Sequence, residues 1–434
     1  MLEPLYTADE MRAAEAGHDV AELMERAGAA VAEHVIGRFP HARTFSLYAG
    51  GGANGGDGRI AARILAERGW NEVEEGGDIV LDALFGTGFR GPPRDEVAAT
   101  IARINGSGAP VIAVDVPSGV DASTGEVPGA AVEAALTVTF HGRKVGLAVA
   151  PGRFHAGEVV LADIGLAPAE TEHARVAPEI LRLVPRKTDQ DTKYSAGSVL
   201  VVGGAPGMTG AVCLAAEAAF RADAGYVAVC VPGQSLPVVE GKLLEAVKGT
   251  WDDVSRLAEK AQAVALGPGM GRTPEARALA DRLLAELDVP VVVDADALFG
   301  LEPLERSAPT VLTPHAGELA RLLGEEVDPR RLAAARAAAE RFGCTVLLKG
   351  ADTIIASPGG QVLVCDLGTP ALATAGTGDV LTGIVAAFLA KGLEPRLAAA
   401  AAAAAGGVAA ELLEPQRGAV ASDLLTTIPR ALER

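Results

Sequence analysis

At 434 residues the chain exceeds what one hydrophobic core usually organises, which predicts two domains, and with 49% of its residues apolar and 22% charged it is not a disordered chain. A formal net charge of −18 excludes a surface built to wrap nucleic acid or an anionic membrane, because both need a basic face; any phosphate must be held by helix N-termini and a few chosen cations. Cys213, Cys230, Cys344 and Cys365 stand far apart with neither a CxxC pair nor zinc-site spacing, and MLEPLYTADEMRAAE carries acids where an export signal carries bases, so a reduced, cytoplasmic protein is expected.

Along the chain, short β-branched runs alternate with Ala-rich amphipathic stretches, the pattern of α/β layers around largely parallel sheets. The predicted strands of the first part are 44–48, 79–82, 111–114 and 136–140, with helices in the gaps, one of them over 59–68. Residues 194–216 are uncharged and long enough to cross a bilayer, but GGAPGMTG interrupts them, so they read as strand, loop and helix. A second series of strands follows at 198–202, 227–231, 263–266, 291–294, 310–312 and 345–348, then a strand pair near 352–365. Between the two series, 166–191 is polar and punctuated by proline. The expectation is two three-layer αβα domains: 1–170, Rossmann-like, and 193–434, joined by a linker over 171–192. The alanine run at 398–405 reads as a tightly packed buried helix, since Ala is the strongest helix former.

The most informative segment is TPALATAGTGDVLTGIVAAFLAKG, residues 369–392, where a Gly-rich turn opens into an apolar helix. Gly376, Thr377 and Gly378 fall at its first turn, where unpaired N–H groups and the positive end of the helix dipole can hold phosphate charge. Asp379 follows, and a carboxylate there can take a proton from a hydroxyl that attacks phosphorus, or it can simply cap the helix. GGAPGMTGA after the strand 198–202, and LGPGMG at 266–271, are flexible turns at strand ends, which line the ligand crevice of a parallel sheet. TPHAGE (313–318) offers His315 and Glu318, and LLKGADT (347–353) ends a strand on Lys349, the natural cation for a nucleotide phosphate in an acidic protein.

In this order and spacing, and together with DADAL at 294–298, these blocks resemble the ADP- or ATP-dependent NAD(P)H-hydrate dehydratases of the ribokinase-like fold over roughly residues 190–434. The resemblance implies that Ala211, Gly269, His315 and Asp379 surround the hydrated nicotinamide. It implies that Lys349, Gly350, Ala351, Asp352 and Thr353, with Gly376, Thr377 and Gly378, hold the adenine nucleotide. ADP is the implied cosubstrate, with Mg2+ bridging its phosphates. By the same likeness Asp379 assists attack of the ring hydroxyl on the terminal phosphate, and the resulting ester eliminates to restore the dihydropyridine.

In the first part, TFSLYAGGGANGGDG (44–58) reads as a strand running into a Gly-rich loop, while DALFGTGFRGPP (82–93) and DVPSGVDASTG (115–125) each set an Asp at a strand's C-terminal end. Parallel neighbours would converge these three ends on one crevice. Over roughly residues 5–166 the chain resembles the NAD(P)H-hydrate epimerases. That implies substrate contacts from Ala53, Asn54, Gly55, Gly56 and Asp57 and from Gly86, Thr87, Gly88, Phe89, Arg90, Gly91 and Pro92, with Asp115 as acid or base. It also implies K+ on Asn54, Asp82 and Ser118, an oxygen-only set that suits a hard cation. Two departures stand out. Ala53 replaces the first of two consecutive Asn residues, and only about 24 residues separate Gly58 from Asp82, room for one helix but not for a further strand–helix unit.

The expected activity is therefore repair of hydrated NADH and NADPH by epimerisation and ADP-dependent dehydration, in a homo-oligomer without nucleic-acid or membrane partners. The alternative is a small-molecule hydroxyl kinase of the same fold, carrying an N-terminal nucleotide-binding module without chemistry.

Overall fold

The computed structural model describes residues 1–434, which divide into two compact units: Pro4–Ala174, and Arg175–Arg434 together with Met1–Glu3. No helix is long and apolar enough to cross a membrane, and all four cysteines are free.

In the first unit six parallel strands run in the order Asn71–Glu72, Thr44–Ala49, Ile79–Ala83, Val111–Val114, Leu136–Phe140, Glu158–Ala162. A parallel sheet is covered on both faces, so its inner strands are apolar throughout, and alternate residues serve opposite layers. Ile79 and Leu81 join Val31, Val35, Phe45, Leu65, Ile112 and Val138 in the core beneath the helices Val20–Arg38 and Ala53–Glu67. Val80 packs with Ile101, Ile104 and Val111 beneath the helix Asp95–Asn105. The short stretch after Gly58 holds the remainder of one helix and a two-residue edge strand that pairs Asn71 with Thr44 and Glu72 with Phe45. The helix predicted over 59–68 begins earlier, at Ala53, and the glycines of ANGGDG lie inside it. Gly58 must be a glycine there, since a Cβ would sit 2.4 Å from the Cβ of Ala83 on the sheet.

In the second unit the strands run Val247–Thr250, Tyr226–Val231, Ser198–Val202, Ala263–Leu266, Val291–Val293, Thr310–Leu312, Thr345–Leu348, all parallel, then Thr353–Ala356 and Val362–Cys365, both antiparallel. The helices Thr209–Arg221 and Thr377–Ala390 pack against the strands at its centre, and the alanine run lies wholly buried inside the helix Pro395–Glu411. Within 171–192 the chain forms the strand His173–Val176 and the short 3-10 helix Pro178–Leu183, which buries Ile180 and Leu181. These apolar pairs are too brief to give a readable period.

Candidate active sites

The second unit gathers its chemistry at the C-terminal ends of its parallel strands. Gly376 is the N-cap of the helix Thr377–Ala390 at φ +92°, a left-handed conformation that a side chain would strain, and it turns the chain into the helix without a side-chain cap. Apart from Thr377 N, which donates to Thr374 O at 3.4 Å, the first-turn N–H groups are left for a ligand. Lys349, just past the strand Thr345–Leu348, reaches this turn: a Cβ on Gly378 would lie 3.3 Å from its Nζ. The ammonium donates to Asp294 Oδ1 at 2.8 Å and stands 4.0 Å from Glu318 Oε2. Thr382, one turn into the same helix, donates to Asp294 Oδ2 at 2.7 Å. Burial works against the charge on Lys349, but Asp294, Glu318 and Asp379 carry its pKa upward.

Asp379 is pushed up to about 6, by burial first and then by Asp294 and Asp296, against the lowering effect of Lys349. A carboxylate with that pKa is ionised at neutral pH and more basic than an exposed one, which suits a general base. Ala295 holds φ +50°, a left-handed conformation costing about 1–3 kcal/mol in a residue with a side chain. Around it Asp294 turns toward Lys349, while Asp296 accepts from Gly271 N and Arg272 Nε, each at 2.9 Å.

The other expected residues meet at the rim. A Cβ on Gly269 would lie 3.1 Å from that of Ala211, so the LGPGMG turn and the helix Thr209–Arg221 touch there. His315 is bridged in parallel to Lys349, and Lys349 N donates to Pro314 O at 2.9 Å. Its Nδ1 accepts from Gly317 N at 3.0 Å, so the neutral ring carries its proton on Nε2, 3.6 Å from Glu318 Oε1. Asp352 behaves differently. Its carboxylate is buried and taken by Arg331 Nη1 at 2.8 and 2.9 Å, while Arg331 Nη2 donates to its carbonyl at 2.7 Å. Its side chain braces the KGADT turn. Asp294 and Thr382 escaped the residue-by-residue reading. DADAL was visible, but nothing local says that Asp294 faces Lys349.

In the first unit the three expected loops also converge. A Cβ on Gly86 would lie 2.9 Å from Asn54 Oδ1, and Gly50 N donates to Ala83 O at 2.9 Å. Asp82, fully buried, accepts from Ser118 Oγ at 2.6 Å, Ser118 N at 2.8 Å and Leu84 N at 3.3 Å. Burial raises it to about 6 against these bonds. Asn54 Nδ2 is buried without a hydrogen-bond partner. A fully buried acid with neutral donors, and an amide whose nitrogen lacks a partner and whose oxygen could turn into its place, supply oxygen donors that would suit a monovalent cation on Asn54, Asp82 and Ser118. Gly88, Arg90, Gly91 and Pro92 are exposed, Thr87 is half-buried, and Phe89 stacks on Phe85 with ring centroids 5.2 Å apart.

Asp115 follows the strand Val111–Val114 at φ +67°. Its Oδ1 accepts from Lys144 Nζ at 2.5 Å and from Thr139 Oγ1 at 3.1 Å. Lys144 was not foreseen; it lies past a predicted strand, in HGRKVG, where only burial marks it out.

The model of the family described as NAD(P)H-hydrate dehydratase matches residues 199–431, and that described as YjeF-related protein N-terminus matches 20–75 and 70–146. The second match breaks at the two-residue edge strand. Bifunctional NAD(P)H-hydrate repair enzymes Nnr are similar along nearly the whole chain: 37% identical for Moorella thermoacetica, covering 94% of this chain and 92% of the relative, and 34% for Escherichia coli, covering 98% and 93%. Among solved structures, the ADP/ATP-dependent NAD(P)H-hydrate dehydratase of Bacillus subtilis, co-crystallised with ATP/Mg2+, is 30% identical at a TM-score of 0.55, covering 59% of this chain and 97% of that one. A ribokinase-like superfamily protein of Enterococcus faecalis superposes at a TM-score of 0.56 with 23% identity over 62% of this chain and 98% of its own, a likeness of fold.

Proposed function

Because the chain belongs to the bifunctional NAD(P)H-hydrate repair enzymes, we propose that its two sites divide the repair as epimerase and dehydratase, with the residue roles that follow. It is an NAD(P)H-hydrate epimerase in its first unit and an ADP/ATP-dependent NAD(P)H-hydrate dehydratase in its second.

The observation that carries the dehydratase roles is Asp379 in the first turn of the helix Thr377–Ala390, with Lys349 against Gly378. ADP lies with its terminal phosphate on the Gly376–Gly378 N–H groups and Lys349, and its nucleoside along Gly350, Ala351 and Thr353. The hydrated ring sits between Ala211, Gly269 and His315, its hydroxyl toward Asp379. Asp379 takes the hydroxyl proton as that oxygen attacks phosphorus, and AMP leaves. The phosphate ester then departs as inorganic phosphate, a far better leaving group than hydroxide, as the neighbouring carbon loses a proton and the ring double bond returns. The carboxylates of this cluster are hard oxygen donors that suit Mg2+, which when bound bridges the phosphates and spreads their charge. In the first unit, Ala53–Asp57 and Gly86–Pro92 frame the substrate, Asp115 is acid or base, and Asn54, Asp82 and Ser118 would hold K+, which would supply positive charge beside the buried Asp82 carboxylate.

Hydrated NADH supplied with Mg2+ and either ADP or ATP should regain dihydronicotinamide absorbance, with ADP the better cosubstrate. Absence of recovery with both nucleotides overturns the dehydratase roles, and a stable phosphorylated product points instead to a hydroxyl kinase.

A further inference from the structure

The first unit holds more charge around its reacting centre than one acid or base requires. Lys144 is 1% exposed, and its ammonium donates to Asp115 Oδ1 at 2.5 Å, Phe140 O at 2.8 Å and Thr139 Oγ1 at 3.0 Å. Three donors with three acceptors leave it none for a substrate, so its work is to hold Asp115. Asp57, in the first turns of the helix Ala53–Glu67, is 8% exposed and feels the charges of Asp115, of Glu15 at the end of the helix Ala8–Glu15, and of Lys144.

We propose that Asp57 and Asp115 are the acid and base of epimerisation, and that Lys144 is the positioning residue that holds Asp115 in place. The inference rests on the epimerase reading above. Burial, then Asp115, then Glu15, push Asp57 up to about 8, so it carries its proton at neutral pH, while Asp115 is tied to an ammonium. Glu15 is itself raised, by burial and by Asp115, and His141 beyond Lys144 is lowered, by burial and by that cation. A buried acid that keeps its proton and a carboxylate held by an ammonium supply the donor and the acceptor that acid–base catalysis needs.

The chemistry closes without any co-reactant. The hydrated carbon bears a hydroxyl and is bonded to the ring nitrogen. Asp57 gives its proton to that hydroxyl, the C–O bond breaks, water leaves, and the nitrogen lone pair forms a planar C=N+ bond. A water then adds to the opposite face, its oxygen bonding to carbon as Asp115 takes the released proton. One water leaves and one enters, and a proton returned from Asp115 to Asp57 through solvent resets the pair. In the reverse direction the two residues exchange roles.

The test uses the full chain and the purified R hydrate of NADH, following formation of the S hydrate between pH 5.5 and 9.5 with the uncatalysed rate subtracted. Wild-type kcat/KM should decline above about pH 8, and Asp57→Asn should lower kcat about 100-fold or more with little change in KM while losing that alkaline decline. Lys144→Met should lower kcat about tenfold with little change in KM, as Asp115 loses the ammonium that holds it, and Lys144→Arg should restore much of the wild-type rate. Denaturant unfolding of the first unit, followed in the same samples, reports that each variant is folded. Asp57→Asn with a wild-type rate, or with the alkaline decline intact, overturns the pair; a wild-type kcat in Lys144→Met, or no rescue by Lys144→Arg, overturns the positioning role. A wild-type chain that leaves the R hydrate at its buffer rate overturns the epimerase reading itself, a result separable from both.

Discussion

Each unit places a lysine–aspartate pair at its site, and the two pairs are built for different work. Lys144 is closed off at 1% exposure with every donor engaged, whereas Lys349 keeps 21% of its side chain exposed among Asp294, Glu318 and Asp379. A saturated buried ammonium fixes a carboxylate in place. One surrounded by several acids at an open helix end can exchange a carboxylate for a phosphate as a nucleotide arrives. On the proposed roles, the epimerising site would need fixed geometry, and the phosphoryl-transferring site a cation that changes partners.

The sharpest way to break that contrast is Asp379→Asn. Loss of a general base lowers kcat by about 10²–10⁴-fold. Nucleotide binding, read by calorimetry, should persist, and a variant that turns over normally removes Asp379 from the chemistry. Arg331→Ala comes next. Stranding the buried Asp352 carboxylate should cost about 3–5 kcal/mol in denaturant unfolding of the second unit and weaken nucleotide binding through a loosened KGADT turn. Unchanged stability would mean that Asp352 does not depend on this brace.

Lys349→Met should raise KM for the nucleotide about 10–100-fold, the size of one charge-assisted hydrogen bond, with a smaller change in KM for the hydrate. Equal effects on both would place Lys349 outside the phosphate site. The dehydration rate of the wild type should fall about tenfold per pH unit below about 6, because a raised pKa means the base binds its proton there and is free above it. A flat profile down to pH 5 contradicts Asp379 as base. The smallest effect belongs to Ala53→Asn. Returning an amide to the first turn of Ala53–Glu67 should lower KM for epimerisation a few-fold, about 1 kcal/mol or less, and an increase would mean that Ala53 is matched to its pocket.

How much of this was legible depends on whether a signal is local. The strand Val111–Val114 and its neighbours could be read because a sheet covered on both faces demands unbroken apolar runs. The GTGD turn could be read because glycines followed by an apolar helix carry their meaning within a few residues. The start of Ala53–Glu67 could not, since ANGGDG looks like loop until Ala83 is known to lie against Gly58. Lys144 and Arg331 were invisible for a related reason: each is defined by an acid that sequence distance hides, Asp115 in one case and Asp352 in the other. Asp352 was assigned to the nucleotide with its neighbours, and only tertiary packing separates its buried carboxylate from the backbone beside it.

The two-residue strand Asn71–Glu72 covers Thr44 and Phe45 but not the rest of the strand Thr44–Ala49, which would leave an open border where another polypeptide could add itself. Along that border Glu72, Glu74, Glu75 and Asp78 are all exposed. A second molecule docking there by backbone pairing would bring its own copy of these acids against them, so the acidic run disfavours sticky self-association at this edge.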